Sequence, residues 1–198
     1  AFGEILAWTL MWAFFATFSN YFLGMFVAIL INKKGIAFKK FWRTVLVMTI
    51  AIPQFVSLLY VSKLFDSSGI IGEALGNIPN LKAWLDANHY TSLWDSPTVA
   101  RALVIIINIW VGIPYVMLQA TGILMNIPSD LYESAKMDGA SPFHTFVKIT
   151  LPYMLFVTGP YLLTSFTGNI NNFNVIYLLS QGKPMSTSLS GNAGYTDL

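Results

Sequence analysis

Glu133, Lys136, Asp138, His144 and Lys148 crowd into one stretch, LYESAKMDGASPFHTFVKITLP, which runs from Leu131 to Pro152 between strongly apolar sequences. Fixed carboxylates such as Glu133 and Asp138 suit ion pairing with a basic partner. Ser129 or Asp130 is placed to cap a short helix through Ala135 to Met137. Ser129 and Tyr132 make only an imperfect capping box, because Tyr132 stands one position short of Glu133. Gly139 permits a chain reversal. Ser141-Pro142 then opens a second helix, with serine as cap and proline at the first helical position. The stretch reads as a compact helix-turn-helix at a membrane surface, against the plainer alternative of a solvated connector.

A second set of groups is neutral. Asn108, Gln119, Ser165, Thr167, Asn169, Asn171 and Asn172 lie in or near apolar runs. A buried amide without partners is costly, so each needs a neighbour or a ligand. Asn-Ile-Asn-Asn at 169–172 is dense enough to suggest a solvated cavity. With Trp110, Tyr115, Phe166 and Phe173 nearby, these amides suit a neutral polyhydroxylated ligand, which offers hydroxyls to amides and apolar faces to rings. The competing reading is hydrogen-bonded glue between helices.

Other chemistries find little support. No Asp, Glu, Lys, Arg or His falls well inside an apolar run, which argues against a proton relay and for an external energy source. His89 and His144 fall in loops on opposite sides of the predicted membrane and cannot share a metal. No P-loop, His-x-x-x-His or Gly-x-Ser-x-Gly motif occurs. No basic-aromatic patch suggests nucleic acid. The expectation is a transport subunit, not an enzyme, with no metal and no cofactor of its own.

The elements that must position these groups follow from composition. The 198 residues are 55% hydrophobic and only 10% charged, against about 25% charged in soluble domains. Mean hydropathy is +0.60. A chain like this cannot cover a soluble surface. There is no cysteine, hence no disulfide framework. A bilayer core takes about 20 apolar residues, and four spans are predicted, at 5–32, 44–62, 99–125 and 152–173. Pro53 falls near the middle of the second span, as a kink or the lining of a cavity. Gly112-Ile113-Pro114 interrupts the third, and Gly159-Pro160 lies inside the fourth. Arg101, at the outer end of the third, is placed to snorkel to the headgroups. Lys33, Lys34, Lys39, Lys40 and Arg43 mark one short loop as cytoplasmic. That loop and loop 126–151 hold seven of the eleven Lys and Arg residues. Between them lies a polar connector, 63–98, with short interfacial helices expected near 70–75 and 81–85. The stretch 174–198 reads as a Gly/Ser-rich outer segment. The fold class is an all-α, polytopic integral membrane protein with both ends outside, forming one membrane domain over 1–198. The start lacks an initiator Met and a basic leader region, and the whole reads as part of a longer chain.

Within the polar stretch, Glu133-Ser134-Ala135 is followed by three residues, Gly139, nine residues and Ile149-x-Leu151-Pro152. That order resembles the "EAA" loop of permease subunits of binding-protein-dependent ABC importers, although Ser134 replaces the usual alanine. With NIWVGIPYVM, SFTGNINNFNVIYLL and NAGYTDL, nearly the whole chain resembles the larger permease subunit of the maltose-type, carbohydrate-uptake family. The resemblance implies a type I importer bundle of the MetI-like kind in the bacterial cytoplasmic (inner) membrane. It also implies a second permease subunit, a pair of ATPase subunits holding ATP and Mg, and an extracellular or periplasmic sugar-binding protein.

Carried over residue by residue, Glu133, Ser134, Ala135, Asp138 and Gly139 would belong to a coupling helix docked on the ATPase. Asn108, Val111, Gly112 and Tyr115 would line a sugar site from the third span. Ser165, Gly168, Asn169 and Asn172 would line it from the fourth. Around Pro53 the maltose subunit has Tyr and Ser where this chain has Ile50 and Gln54. Gly168 replaces an aromatic residue, which implies a wider site and a longer sugar such as a maltodextrin. A permease for another neutral solute, or an ion-coupled carrier, is the alternative.

Overall fold

The computed structural model describes residues 2–33, 35–186 and 195–196. Its helices are α1 (Phe2–Phe14), α2 (Asn20–Asn32), α3 (Lys39–Ala51), α4 (Gln54–Phe65), α5 (Ile70–Gly76), α6 (Pro79–Ala87), α7 (Pro97–Met125), α8 (Ser129–Met137), α9 (Pro142–Thr145), α10 (Leu151–Ile170) and α11 (Phe173–Ser180). Met185–Ser186 pairs antiparallel with Tyr195–Thr196. The architecture is all-α, as the composition requires.

Among the described residues, four stretches are long and apolar enough to cross a bilayer: Phe2–Asn32, Gln54–Gly76, Pro97–Met125 and Pro142–Ile170. Much of their apolar surface faces outward, including Phe22, Phe26, Ile106, Phe156 and Leu163. Outward-facing aromatic and aliphatic side chains on this scale suit lipid rather than water.

Two of these stretches contain a π-turn. Phe15–Ser19 joins α1 to α2, and Phe146–Thr150 joins α9 to α10. Each inserts one extra residue into the helical ladder and rotates the faces beyond it. The predicted interruption at Gly112-Ile113-Pro114 does not occur: α7 is continuous through Pro114. Proline deletes one hydrogen bond, and a long membrane helix tolerates that loss. The second predicted span, 44–62, is instead divided. α3 ends at Ala51, and Pro53 (φ −54°, ψ 131°) is the N-cap of α4. Proline disfavours helical geometry in the residue before it, so the chain breaks at Ile52 rather than bending. The fourth stretch begins earlier than predicted, at Pro142, and its helix ends at Ile170. The expected outer segment 174–198 opens with a helix, α11, and the rest falls partly outside the described residues.

The chain packs as two units. One comprises 1–13, 52–109 and 169–198. In it α11 packs on α4, burying Val175 and Leu179 with Leu58 and Val61. The Ser62 hydroxyl donates to the Leu179 carbonyl. Trp12 Nε1 donates to the Asn169 carbonyl at 3.0 Å. The Arg101 guanidinium, instead of simply extending outward, stacks 4.8 Å over the Trp8 ring, a cation–π contact. The connector's last turn is fastened by Asp95. Its carboxylate accepts from Thr91 N–H (2.9 Å), Thr91 Oγ1 (2.7 Å) and Ser92 N–H (2.8 Å). Burial pushes the Asp95 carboxyl up, but these bonds and the charge of Lys183 outweigh it and hold it below the usual carboxylate range.

The other unit comprises 14–51 and 110–168. Its core is Tyr21, Met25, Ala28 and Ile31 from α2, Val116, Met117 and Ala120 from α7, and Met154 from α10. Gly24 lets α2 and α7 approach closely, since a β-carbon there would lie 2.5 Å from Val116 Cβ. Tyr21 Oη bonds Thr158 Oγ1 at 2.7 Å in the buried interior. Asn32 closes the far end of α2. Its amide donates to the Ala28 carbonyl (2.7 Å) and Thr121 Oγ1 (3.0 Å).

Candidate functional site

The polar stretch folds as α8, a turn and α9. Neither Ser129 nor Asp130 caps α8. The helix starts at Ser129 itself, Pro128 is the N-cap, and no side-chain bond is made there. Proline's fixed φ makes it a ready lead-in to a helix. Gly139 reverses the chain at φ +75°. Ser141 is the N-cap of α9, its Oγ accepting from His144 N–H at 3.2 Å, with Pro142 in the first turn. Tyr132 Oη bonds Thr150 Oγ1 at 3.0 Å and so fixes α8 against the π-turn that leads into α10. Glu133, Ser134, Asp138 and Gly139 are exposed, and Ala135 is half-buried. Met137 and Phe143 are exposed beside them, at 82% and 76%. A surface with two carboxylates and two large apolar side chains, mounted on a braced helix, is suited to docking.

On α7, Asn108, Val111 or Gly112, and Tyr115 follow an i, i+3/4, i+7 spacing and so share one helix face. Asn108 is buried, Val111 and Gly112 are half-buried, and Tyr115 is exposed. Gly112 abuts the Asn20 carboxamide of α2 so closely that a β-carbon would overlap it. The Tyr115 and Tyr161 rings lie 6.3 Å apart. Neither Asn20 nor Tyr161 stood out in the sequence, although Asn20 was an amide in the middle of a charge-free run.

On α10, Ser165 is half-buried and Gly168 is exposed, with open space where a β-carbon would project. Asn169 and Asn172 are brought into direct contact, Asn172 Nδ2 donating to Asn169 Oδ1 at 3.2 Å. They do not share a continuous helix. α10 ends at Ile170, and Asn172 is the N-cap of α11, its Oδ1 accepting from Val175 N–H at 3.2 Å. Asparagine competes with backbone donors for local bonds, and so favours caps over helix interiors. A cavity of about 280 Å³ opens beside this break, lined by Asn171, Asn172, Phe173, Ile176, Tyr177 and Gly182. Phe173 and Tyr177 stack at 4.8 Å with an 18° interplanar angle. Amides beside flat aromatic surface can hold hydroxyls and an apolar ring face together.

Long apolar helices and outward hydrophobic faces define a multi-pass membrane protein. The comparisons narrow this. The profile of the binding-protein-dependent transport system inner membrane component matches residues 20–197, and the chain belongs to that family. It is 41% identical over its whole length to the galactooligosaccharides transport system permease protein GanP of Bacillus subtilis, covering 45% of that relative. It is 38% identical, again over its whole length, to the maltose/maltodextrin transport system permease protein MalF of Escherichia coli K12, covering 37% of it. The MalF of Photorhabdus laumondii is 37% identical over the same share. The chain thus spans less than half the length of these curated relatives. As the family description states, it is an inner membrane component.

Proposed function

We propose that this chain is the core of a membrane-spanning permease subunit of an ATP-driven, binding-protein-dependent importer of neutral oligosaccharides of the maltodextrin kind. The observation that carries this reading is similarity, over the whole of this chain, to two permeases named for galactooligosaccharide and maltose/maltodextrin transport. Neutral amides and aromatic rings on α7, α10 and α11 support it. Asn108, Val111, Gly112, Tyr115, Ser165, Gly168, Asn169 and Asn172 are proposed to contact sugar. The Asn172 carboxamide has one donor and one acceptor position beyond its local bonds, and sugar hydroxyls would take these. Glu133, Ser134, Ala135, Asp138 and Gly139 are proposed to transmit ATPase movement through α8. Its bond to Thr150 makes α8 and the start of α10 move together. ATP and Mg belong to the partner ATPase pair, and the subunit works beside a second permease and a sugar-binding protein.

The higher identity to GanP favours a second reading, in which the cargo is a galactooligosaccharide. The test is uptake of labelled maltose, maltotetraose and a galactooligosaccharide by the full-length protein, reconstituted with its partners in liposomes. Uptake of the maltose series that needs both ATP and binding protein supports the first reading. Preference for the galactooligosaccharide replaces it with the second. Uptake without ATP overturns both.

A further inference from the structure

A cavity of about 420 Å³ lies where α2 and α7 end and α3 begins, lined by Asn32, Lys39, Lys40, Arg43, Leu124 and Met125. Three lining side chains are cations, and among the described residues none is a carboxylate. Arg43 Nη2 donates to Asn32 Oδ1 at 2.8 Å, and Lys39 Nζ to the Asn32 carbonyl at 3.1 Å. These neutral acceptors orient the cations but leave their charge uncompensated. The Arg43 Nε–H is buried and has no partner, although a buried donor without an acceptor is costly. Three cations lining one cavity, with no carboxylate among its described lining residues, suit an anion with oxygen acceptors.

The surroundings say which anion. Leu124 and Met125 give the same cavity an apolar wall. On the first turns of α3, Phe41 and Trp42 are exposed and meet edge to face at 5.5 Å. Val45 and Met48 continue an exposed apolar strip along that helix. Exposed aromatics beside cations mark the headgroup level of a bilayer. Guanidinium and ammonium groups are the usual partners of phosphate. Basic pockets between helix ends at the inner leaflet accept acidic headgroups. We propose that this cavity holds the phosphate of an anionic glycerophospholipid, with Arg43, Lys39 and Lys40 on the headgroup and the acyl chains against the outer face of α3. The proposal rests on the membrane placement of the chain and not on which solute is carried, so solute uptake is not its readout.

The test uses the full-length protein in its assembled complex, delipidated and presented with phosphatidylglycerol or phosphatidylcholine, with retained lipid counted by native mass spectrometry. The wild type is expected to retain phosphatidylglycerol in preference to phosphatidylcholine, and Arg43→Gln to weaken that retention about tenfold. Lys39 and Arg43 also brace Asn32, so Lys40→Gln serves as a second variant that removes a lining cation and none of that bracing. It is expected to weaken retention in the same direction. Equal retention of the two lipids, or phosphatidylglycerol retention unchanged in both variants, overturns the proposal. Competition by millimolar inorganic phosphate, at no loss to the acyl-chain-free headgroup, would mark a soluble-anion site and overturn the lipid assignment.

Discussion

The α-carbon of Gly112 lies against the Asn20 carboxamide, with no room for a β-carbon between them. A residue proposed to touch sugar is therefore also a point of close approach between α7 and α2. Gly112→Ala must displace Asn20 or separate the helices, and overpacking of this kind costs about 1–3 kcal/mol. The expected outcome is a lower Tm for the assembled complex. Gly168→Ala, entering open space, should leave Tm unchanged, and equal losses at both glycines would refute the steric account.

The Tyr21–Thr158 pair has a direction. The Thr158 hydroxyl donates to the Met154 carbonyl at 2.6 Å, so its oxygen accepts from Tyr21. Thr158→Val strands a buried donor and should cost about 1–3 kcal/mol. Tyr21→Phe removes only the donor and should cost less. The double variant should recover part of the Thr158→Val loss in a thermal double-mutant cycle, and strict additivity would contradict the assignment.

Glu133 is exposed and its replacement should not affect folding. Glu133→Ala is expected to abolish ATP-driven uptake with Tm unchanged, ATP hydrolysis continuing uncoupled. Tyr132→Phe loses the bond to Thr150, worth about 0.5–1.5 kcal/mol, and should lower coupling efficiency in part. Normal uptake in both variants would remove α8 from the coupling path.

Asp95 makes the connector 63–98 pH-sensitive in one direction. Its folded-state carboxyl titrates below the ordinary range, which begins near pKa ~3.9. Its contribution to stability is complete above that value and is lost as pH falls through the lowered folded value. Protection of the Thr91 and Ser92 amides against hydrogen exchange, relative to their intrinsic rates, should therefore fall only in acid. Asp95→Asn should raise exchange at neutral pH and flatten this dependence; an unchanged acid response would assign it to another group.

Gly168→Phe tests the width of the proposed sugar site. A ring filling the open space beside Gly168 should shift uptake toward shorter sugars while leaving assembly intact. An unchanged chain-length preference would remove Gly168 from the site.

Much of this was legible in residue order. Charge-free apolar runs announced the long helices, and Gly139 and Ser141-Pro142 announced the turn and cap of the polar stretch. Family membership followed from the same stretch. What stayed hidden depended on competition between backbone options. Pro53 was visible, but whether it kinks or breaks a helix depends on the backbone at Ile52. Pro114 looked like an interruption, and a long surrounding helix absorbed it. Asn172 was read as a cavity amide because its neighbours are apolar, although its residue type equally favours an N-cap. The π-turns at Phe15–Ser19 and Phe146–Thr150 carry no residue signature, since an extra residue in a helix changes register rather than composition.

The bonds already held by Asn172 have an energetic corollary. Its Oδ1 is engaged by Val175 N–H and its Nδ2 by Asn169. Oδ1 has a second lone pair and Nδ2 a second proton, so a hydroxyl can bond this amide while both local bonds persist. For the sugar contact proposed above, the order of the first turn of α11 and ligand occupancy would be linked with the same sign, because the local bonds hold the amide in the orientation it presents. The stretch from Ile170 to Phe173 would thus act as a preset bracket, whose rigidity spares the ligand the cost of ordering the amide.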